Sequence, residues 1–335
     1  MKRNFVLLVV FIMFFAGYSQ TAKDYSNSGS AKVANFTKAI SDYSKTIEND
    51  PNNARAYISR GKTKVKLKDY DGAIADYSKA IEIDQTTADF YIARGTARIM
   101  VKDFKGAITD CENAIKIDQH DPDPYILRGK AKNSLNDYTG AIDDYTEAIM
   151  IFPSEPDGYF WRGNVKSNLR KYKEATIDFS EAIKKAPNDE KIYVARGKAK
   201  ANLDDYDGAL ADYYKAIEID SNDADAYISR GNTKIDLKAY AFAITDYNKA
   251  IVISPNDASA YCFRGFAEKK LKNYNGAIAD YTKALKIDPK YASAYYLRGL
   301  LKIFLSQKDS GCRDLKRAEN LGSSSAFEAI KKYGQ

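Results

Sequence analysis

An Arg-Gly pair returns every 34 residues along most of this chain: Arg60-Gly61, Arg94-Gly95, Arg128-Gly129, Arg162-Gly163, Arg196-Gly197, Arg230-Gly231, Arg264-Gly265 and Arg298-Gly299. A fixed period in this range means one supersecondary unit laid down repeatedly. No single copy can bury its apolar face, so neighbours must stack. The unit is clearest over residues 54–87, ARAYISRGKTKVKLKDYDGAIADYSKAIEIDQTT. Counted from Ala54, Tyr57 is position 4, Arg60-Gly61 positions 7 and 8, Tyr70 position 17, Ala73 position 20, Asp76-Tyr77 positions 23 and 24, and Ala80 position 27.

Each unit reads as two helices. Tyr70, Ala73, Ile74, Tyr77, Ala80 and Ile81 fall three and four apart, on one face of the second. Tyr57, Gly61 and Leu67 give the first a weaker pattern of the same kind, and Lys68-Asp69 reads as the turn between them. The second helix is expected to end near Asp84. Pro holds position 32 in Pro51, Pro153, Pro187, Pro255 and Pro289, where it stops a helix. Pro122, Pro124 and Pro156 stand at helix starts, which tolerate the missing N–H. On this register all eight prolines lie at unit junctions, outside the helices. Gly at position 8 and Ala at positions 20 and 27 let helix backbones approach.

These residues resemble the tetratricopeptide repeat (TPR) family, whose pattern has aromatics at 4, 17 and 24, Gly at 8, Ala at 20 and 27, and Pro at 32. Eight registers match in phase over residues 54–322. The resemblance implies an all-α fold: a right-handed superhelix of antiparallel helix pairs, an α-solenoid with a concave ligand groove. Two positions depart from the pattern. Position 7, apolar in the family, is Arg throughout. Position 11, usually aromatic, is mostly Lys: Lys64, Lys132, Lys166, Lys200, Lys234 and Lys302.

Taken in order, the chain begins with a basic start at Lys2 and Arg3 and an apolar run from Phe5 to Ala16, with Gly17 and Ser19 placed as for cleavage. Residues 1–19 read as a secretory signal peptide; the competing reading is an uncleaved anchor, for which the run is short against the roughly 20 residues of a membrane span. The product is then a bacterial exported protein, periplasmic or secreted, with no stable membrane span after cleavage. Residues 20–53 are a degenerate first unit, with an intact second helix through Phe36, Ala39, Ile40 and Tyr43. Residues 54–322 hold the eight full units, and residues 323–335 a capping helix through Ala326, Ile330 and Tyr333. The net charge of +7, or +5 without Lys2 and Arg3, is too mild for a nucleic-acid binder, and a monomer is expected.

Asp recurs at position 23 opposite the Arg at position 7: Asp76, Asp110, Asp144, Asp178, Asp212, Asp246, Asp280 and Asp314. An Arg placed where the family buries an apolar side chain needs a carboxylate. A structural ladder of Arg–Asp pairs, within or between units, is the favoured reading; a ligand-binding line of Arg is the rival. Recognition is better sought where the repeat varies. In the resembled family, positions 2, 5, 9, 12 and 13 of the first helix line the groove. Position 5 supplies Ile58, Ile92, Ile126, Phe160, Val194, Ile228, Cys262 and Tyr296, either an apolar contact stripe or ordinary packing. Around it stand Lys62, Lys130, Asn133, Asn164, Asn168, Lys198, Asn202, Asn232, Phe266 and Lys269. Apolar contact flanked by Lys and Asn donors suits an extended peptide, whose carbonyls and carboxylates need donors. The family's two-carboxylate clamp needs a specific Lys and Asn set, and the apolar position 5 leaves it absent. In the ninth unit Tyr296, Leu300, Ile303 and Phe304 form either a partner patch or cover for the terminal helix, with cover favoured.

Metal or cofactor binding is not expected: His120 is the single His and stands in a turn, and Cys111, Cys262 and Cys312 are scattered. Cys262 is the one to test for reactivity. No Gly-rich phosphate loop, Cys–His pair or Ser–His–Asp set points to an enzyme. The expected function is a protein-interaction scaffold with a peptide or protein partner; the alternative is a non-catalytic binder of envelope glycan or another small ligand.

Overall fold

The structure, a computed structural model, describes residues 33–333. The proposed signal peptide and the first half of the degenerate unit lie outside the described residues. Those described are all-α, apart from turns and short connections, and form two compact units that divide after Pro153. The first holds α1 (33–49), α2 (Ala54–Lys66), α3 (Tyr70–Ile83), α4 (Ala88–Met100), α5 (Phe104–Ile117), α6 (Asp123–Ser134) and α7 (Tyr138–Ile151). The second holds α8 (Pro156–Asn168), α9 (Tyr172–Lys185), α10 (Glu190–Ala201), α11 (Tyr206–Ile219), α12 (Ala224–Asp236), α13 (Tyr240–Ile253), α14 (Ala258–Lys270), α15 (Tyr274–Ile287), α16 (Ala292–Phe304), α17 (Lys308–Asn320) and α18 (Ser324–Tyr333). Within each unit successive helices pack on one another as antiparallel pairs, the stacking of a solenoid.

The hairpin turn has the same backbone geometry in each of the eight full repeats. Leu67 caps α2, Lys68 takes a left-handed conformation (φ 61°), and Asp69 starts α3. The N–H of Asp69 returns to the Lys64 carbonyl at 3.0 Å and that of Lys68 to Val65 at 2.9 Å, which satisfies the last free carbonyls of the helix. The same position is left-handed in Lys102, Asn136, Arg170, Asp204, Lys238, Lys272 and Ser306, although glycine is the usual occupant. Asp69, Asp103, Asp137, Asp205 and Asn273 then accept the N–H of the Gly three residues on, at 3.0–3.1 Å, and cap the second helix.

The small residues of the pattern form the helix contacts. Ala73, Ala107, Ala141, Ala175, Ala209, Ala243 and Ala277 have no exposed surface. The position-8 glycine lies against the ring at position 24: a Cβ on Gly129 would stand 2.6 Å from the Tyr145 ring, and one on Gly197 2.6 Å from Tyr213. Where Cys111 replaces that ring, the fit is looser. A Cβ on Gly95 would meet nothing closer than 3.2 Å.

One detail of the proline reading is corrected. Pro124 lies inside α6 and Pro156 opens α8, each in the first turn, where the missing N–H breaks no helical bond. The ninth unit also departs from expectation. The terminal helix α18 packs on α17 and α16, yet Phe304 stays 66% exposed and meets the Tyr274 ring edge-on at 5.3 Å. Tyr296, Leu300 and Ile303, the rest of that patch, are half-buried, so it is Phe304 that stays uncovered.

Candidate binding face

The charged residues of the repeat form a ladder. Each position-7 Arg reaches the Asp sixteen residues on, in its own repeat, at 2.6–2.8 Å. The pairing is two-pronged: Arg196 donates from Nε at 2.9 Å and from Nη2 at 2.7 Å to the two oxygens of Asp212. The eight carboxylates are 0–7% exposed. Arg128 and Arg162 engage Asp144 and Asp178.

Position 11 is part of this device, which the sequence reading missed. Lys64, Arg98, Lys132, Lys166, Lys200, Lys234 and Lys302 reach the second oxygen of the same Asp at 2.7–2.9 Å. Four residues after the Arg, a side chain leaves the helix on the same face, and that spacing was the available signal. Glu268 breaks the series, so Asp280 keeps Arg264 as its cationic partner. The Arg also links repeats. Nη1 of Arg94 donates to Ser78 Oγ of the preceding repeat at 3.1 Å, Arg196 to Ser180 at 3.1 Å and Arg298 to Thr282 at 3.0 Å. Each guanidinium lies near the face of the position-4 Tyr, as Arg230 does at 5.4 Å from the Tyr227 ring.

The apolar stripe expected at position 5 is mostly packing. Ile58, Ile126, Val194, Ile228 and Cys262 are buried at 2–8% exposure, because helix stacking needs that face. Ile92, Phe160 and Tyr296 are half-buried. Cys262, the cysteine to test for reactivity, is buried for the same reason. Burial pushes its thiol up to about 11, against a weaker downward pull from the hydrogen bond with Tyr291. His120 is exposed in its turn, and no group of His, Cys, Asp or Glu among the described residues is arranged to hold a metal.

Six of the expected groove residues do come together. Phe160, Asn164, Asn168, Val194, Lys198 and Asn202 line an open cavity of about 740 Å³ in the second unit, formed by α8, α10 and the approach to α12. Asn164 and Asn202 donate one amide N–H to their own helices, to the Phe160 and Lys198 carbonyls at 2.8 Å. The Oγ of Ser167, also in the wall, is buried and unpaired among the described residues. A second cavity of about 520 Å³ gathers Asn232, Cys262 and Phe266 with Tyr247, Phe263, Tyr291 and Leu297. Ile58, Lys62, Ile92, Ile126, Lys130, Asn133, Ile228, Lys269 and Tyr296 line neither cavity.

The first cavity corrects the expected electrostatics. Lys198 is not a free donor: its ammonium meets both oxygens of Asp225 at 2.6 and 2.9 Å. Glu190, Asp220 and Asp223 share the wall: Glu190 opens α10 at a position outside the expected groove set, and Asp220 and Asp223 lie outside the first helices altogether. Asp220 and Asp223 belong to the connection between repeats, which packing folds back to the cavity mouth.

Comparison with known proteins agrees with this architecture. A family model described as TPR repeat matches residues 61–98, 231–272 and 265–302, and one described as tetratricopeptide repeat matches 190–223. No curated protein sequence matches the chain. Among solved structures, a chain of the APC/C hetero-tetramer Cut9-Hcn1 superimposes with a TM-score of 0.62 at 14% identity, over 88% of this chain and 58% of that one. This chain thus spans little more than half of that relative. A tetratricopeptide repeat protein from Parabacteroides merdae superimposes with a TM-score of 0.60 at 21% identity, over 74% of this chain and 97% of its own. At such identities the likeness is one of fold.

Proposed function

Since this chain is a tetratricopeptide repeat protein, we propose that it is an exported, monomeric scaffold or adaptor that holds a peptide segment of a protein partner on its first-helix face. The work is equilibrium binding, with no chemical step. The observation that carries this reading is the cavity of about 740 Å³ in which Asn164, Asn168 and Asn202 surround the apolar Phe160 and Val194. Side-chain amides both donate and accept, so they match the main chain of an extended peptide whatever its sequence. Export rests on the leader: the Lys2-Arg3 start, the run from Phe5 to Ala16, and Gly17 and Ser19 before the cleavage point.

Binding is tested by panning displayed random peptides on the processed chain, beside an array of envelope glycans. Saturable peptide binding that drops in the Asn164→Ala, Asn168→Ala double variant is expected. Saturable glycan binding with no peptide captured would refute the reading. For export, the intact mass of chain recovered from host envelope should correspond to a start at Gln20; material that keeps Met1 would contradict it.

A further inference from the structure

The two cavities of the second unit share one helix. The first is bounded by Asp223 and Asp225 at the start of α12, the second by Asn232, Ile235 and Asp236 at its end. Their linings are opposite in character. In the first, Glu190, Asp220, Asp223 and Asp225 face two cations, Lys191 and Lys198, and Lys198 is already paired. In the second, the walls are mainly aromatic and aliphatic: Tyr247, Phe263, Phe266, Tyr291 and Leu297.

We infer that the partner segment is a basic–apolar peptide, with a Lys or Arg side chain in the first cavity and a large apolar side chain in the second, three to five residues away. The inference rests on the peptide-binding reading above and names the peptide's chemistry. Charge complementarity selects the cation. The wall carries an excess of carboxylates although the chain as a whole is +7. Asp220 spends one oxygen on the Asn222 N–H at 2.8 Å and has no cationic partner among the described residues. Phe160 and Val194 in the lining suit the methylenes of Lys or Arg, whose charged end can then meet the carboxylates of the same wall. Burial and the neighbouring Asp204 carboxylate raise the Asp236 carboxyl above its usual range.

The spacing follows from the shared helix. From Asp225 to Asn232 and to Asp236 is seven and eleven residues. At about 1.5 Å per residue that is roughly 10–16 Å, the span of about three to five residues of extended chain. A peptide running along α12 therefore presents its two anchors at that separation.

The test uses random peptides a dozen residues long, displayed and selected on the full processed chain. Selected sequences should share a Lys or Arg and an aromatic or large aliphatic residue three to five positions apart. Asp220→Asn keeps the acceptor used by Asn222 but removes the charge; it should weaken the selected peptides about tenfold. Phe266→Ala should weaken them too, yet leave untouched a peptide whose apolar anchor is replaced by Ser. Added salt should weaken binding to wild type more than to Asp220→Asn. If peptides bind but share an acidic consensus, or bind Asp220→Asn as well as wild type, the basic–apolar inference is overturned while peptide binding stands. If no peptide is selected, both fall.

Discussion

Truncating one ladder carboxylate should cost far more than removing its whole charge cluster. Asp212 is 4% exposed and accepts from Arg196 Nε at 2.9 Å, Arg196 Nη2 at 2.7 Å and Lys200 Nζ at 2.9 Å. Asp212→Ala leaves two cations facing each other in a site built for an anion. Breaking a buried pair by removing one partner costs about 3–5 kcal/mol. The Arg196 and Lys200 side chains keep 19% and 23% exposure, so water solvates part of the stranded charge. The lower end, about 3 kcal/mol, is the expected cost. Replacing all three with apolar residues, as Arg196→Met, Lys200→Met and Asp212→Leu, removes the stranded charges and should cost under about 1 kcal/mol. Asp280 is the natural control. With Glu268 in place of the Lys, Asp280→Ala strands a single cation and should cost about 2 kcal/mol. The assay is urea unfolding followed by far-UV circular dichroism, with amide exchange in α10 and α11 as the local readout, because repeat arrays need not unfold as one step. A loss below about 1 kcal/mol for Asp212→Ala, or a triple variant as damaged as the single one, would refute the ladder as the source of repeat stability.

Further outcomes follow from the structure. Gly129→Ala should destabilise by about 1–3 kcal/mol because its Cβ would stand 2.6 Å from the Tyr145 ring, and Gly129→Leu by at least as much. Gly95→Ala, with 3.2 Å to its nearest neighbour, should instead gain up to about 1 kcal/mol of helix preference; thermal melts of the two variants decide. Lys272→Gly relieves a left-handed residue at φ 64° and should raise stability by up to about 1 kcal/mol in the same melts. Burial, helped by the Asp76 charge, pushes the Tyr77 hydroxyl up to about 12. The folded state therefore favours the neutral ring. Its contribution is whole below pH about 10 and is lost as pH rises through about 12, so tyrosinate absorbance and loss of helicity should rise together in that window. At the acid end, burial acts to raise the Asp314 carboxyl but the hydrogen bonds from Arg298 and Lys302 outweigh it and hold it low. That contribution is present above the ordinary carboxylate range and fades as pH falls below it.

The fold was legible because each rule of the repeat has one physical solution. Gly opposite a ring, Ala at the contacts and Pro at the breaks leave a helix pair no other way to stack, and the structure places those residues there. Lys68 shows where that legibility ends. Nothing in a Lys-Asp dipeptide signals a left-handed residue, and only the two backbone bonds that close the turn hold it so. The binding face was half legible. Phe160, Asn164 and Asn168 stand at positions that line the groove in the resembled family, and they line the cavity. Asp220 and Asp223 belong to the link between repeats, and their arrival at the cavity mouth depends on how one hairpin folds back on the next.

Position 11 explains why the constant and the variable faces of the first helices are separable in this chain. Its Lys looked like a departure from the family pattern as long as it was considered alone. Beside the Arg four residues earlier it shares a face, and both charges converge on one buried Asp. A triad repeated with the same residue types offers the same chemistry at every step, so it cannot distinguish one stretch of a partner from another. Positions 2, 9 and 13 of the same helices differ from repeat to repeat: Lys191 against Asp225, Asn164 against Lys198 and Phe266, Asn202 against Asp236. The face that meets the second helix is thereby held constant for stacking, and the face turned away is free to vary. Whatever selectivity this protein has must be written in the second set. Changes there should alter partner choice at little cost in stability, whereas changes in the first should do the reverse.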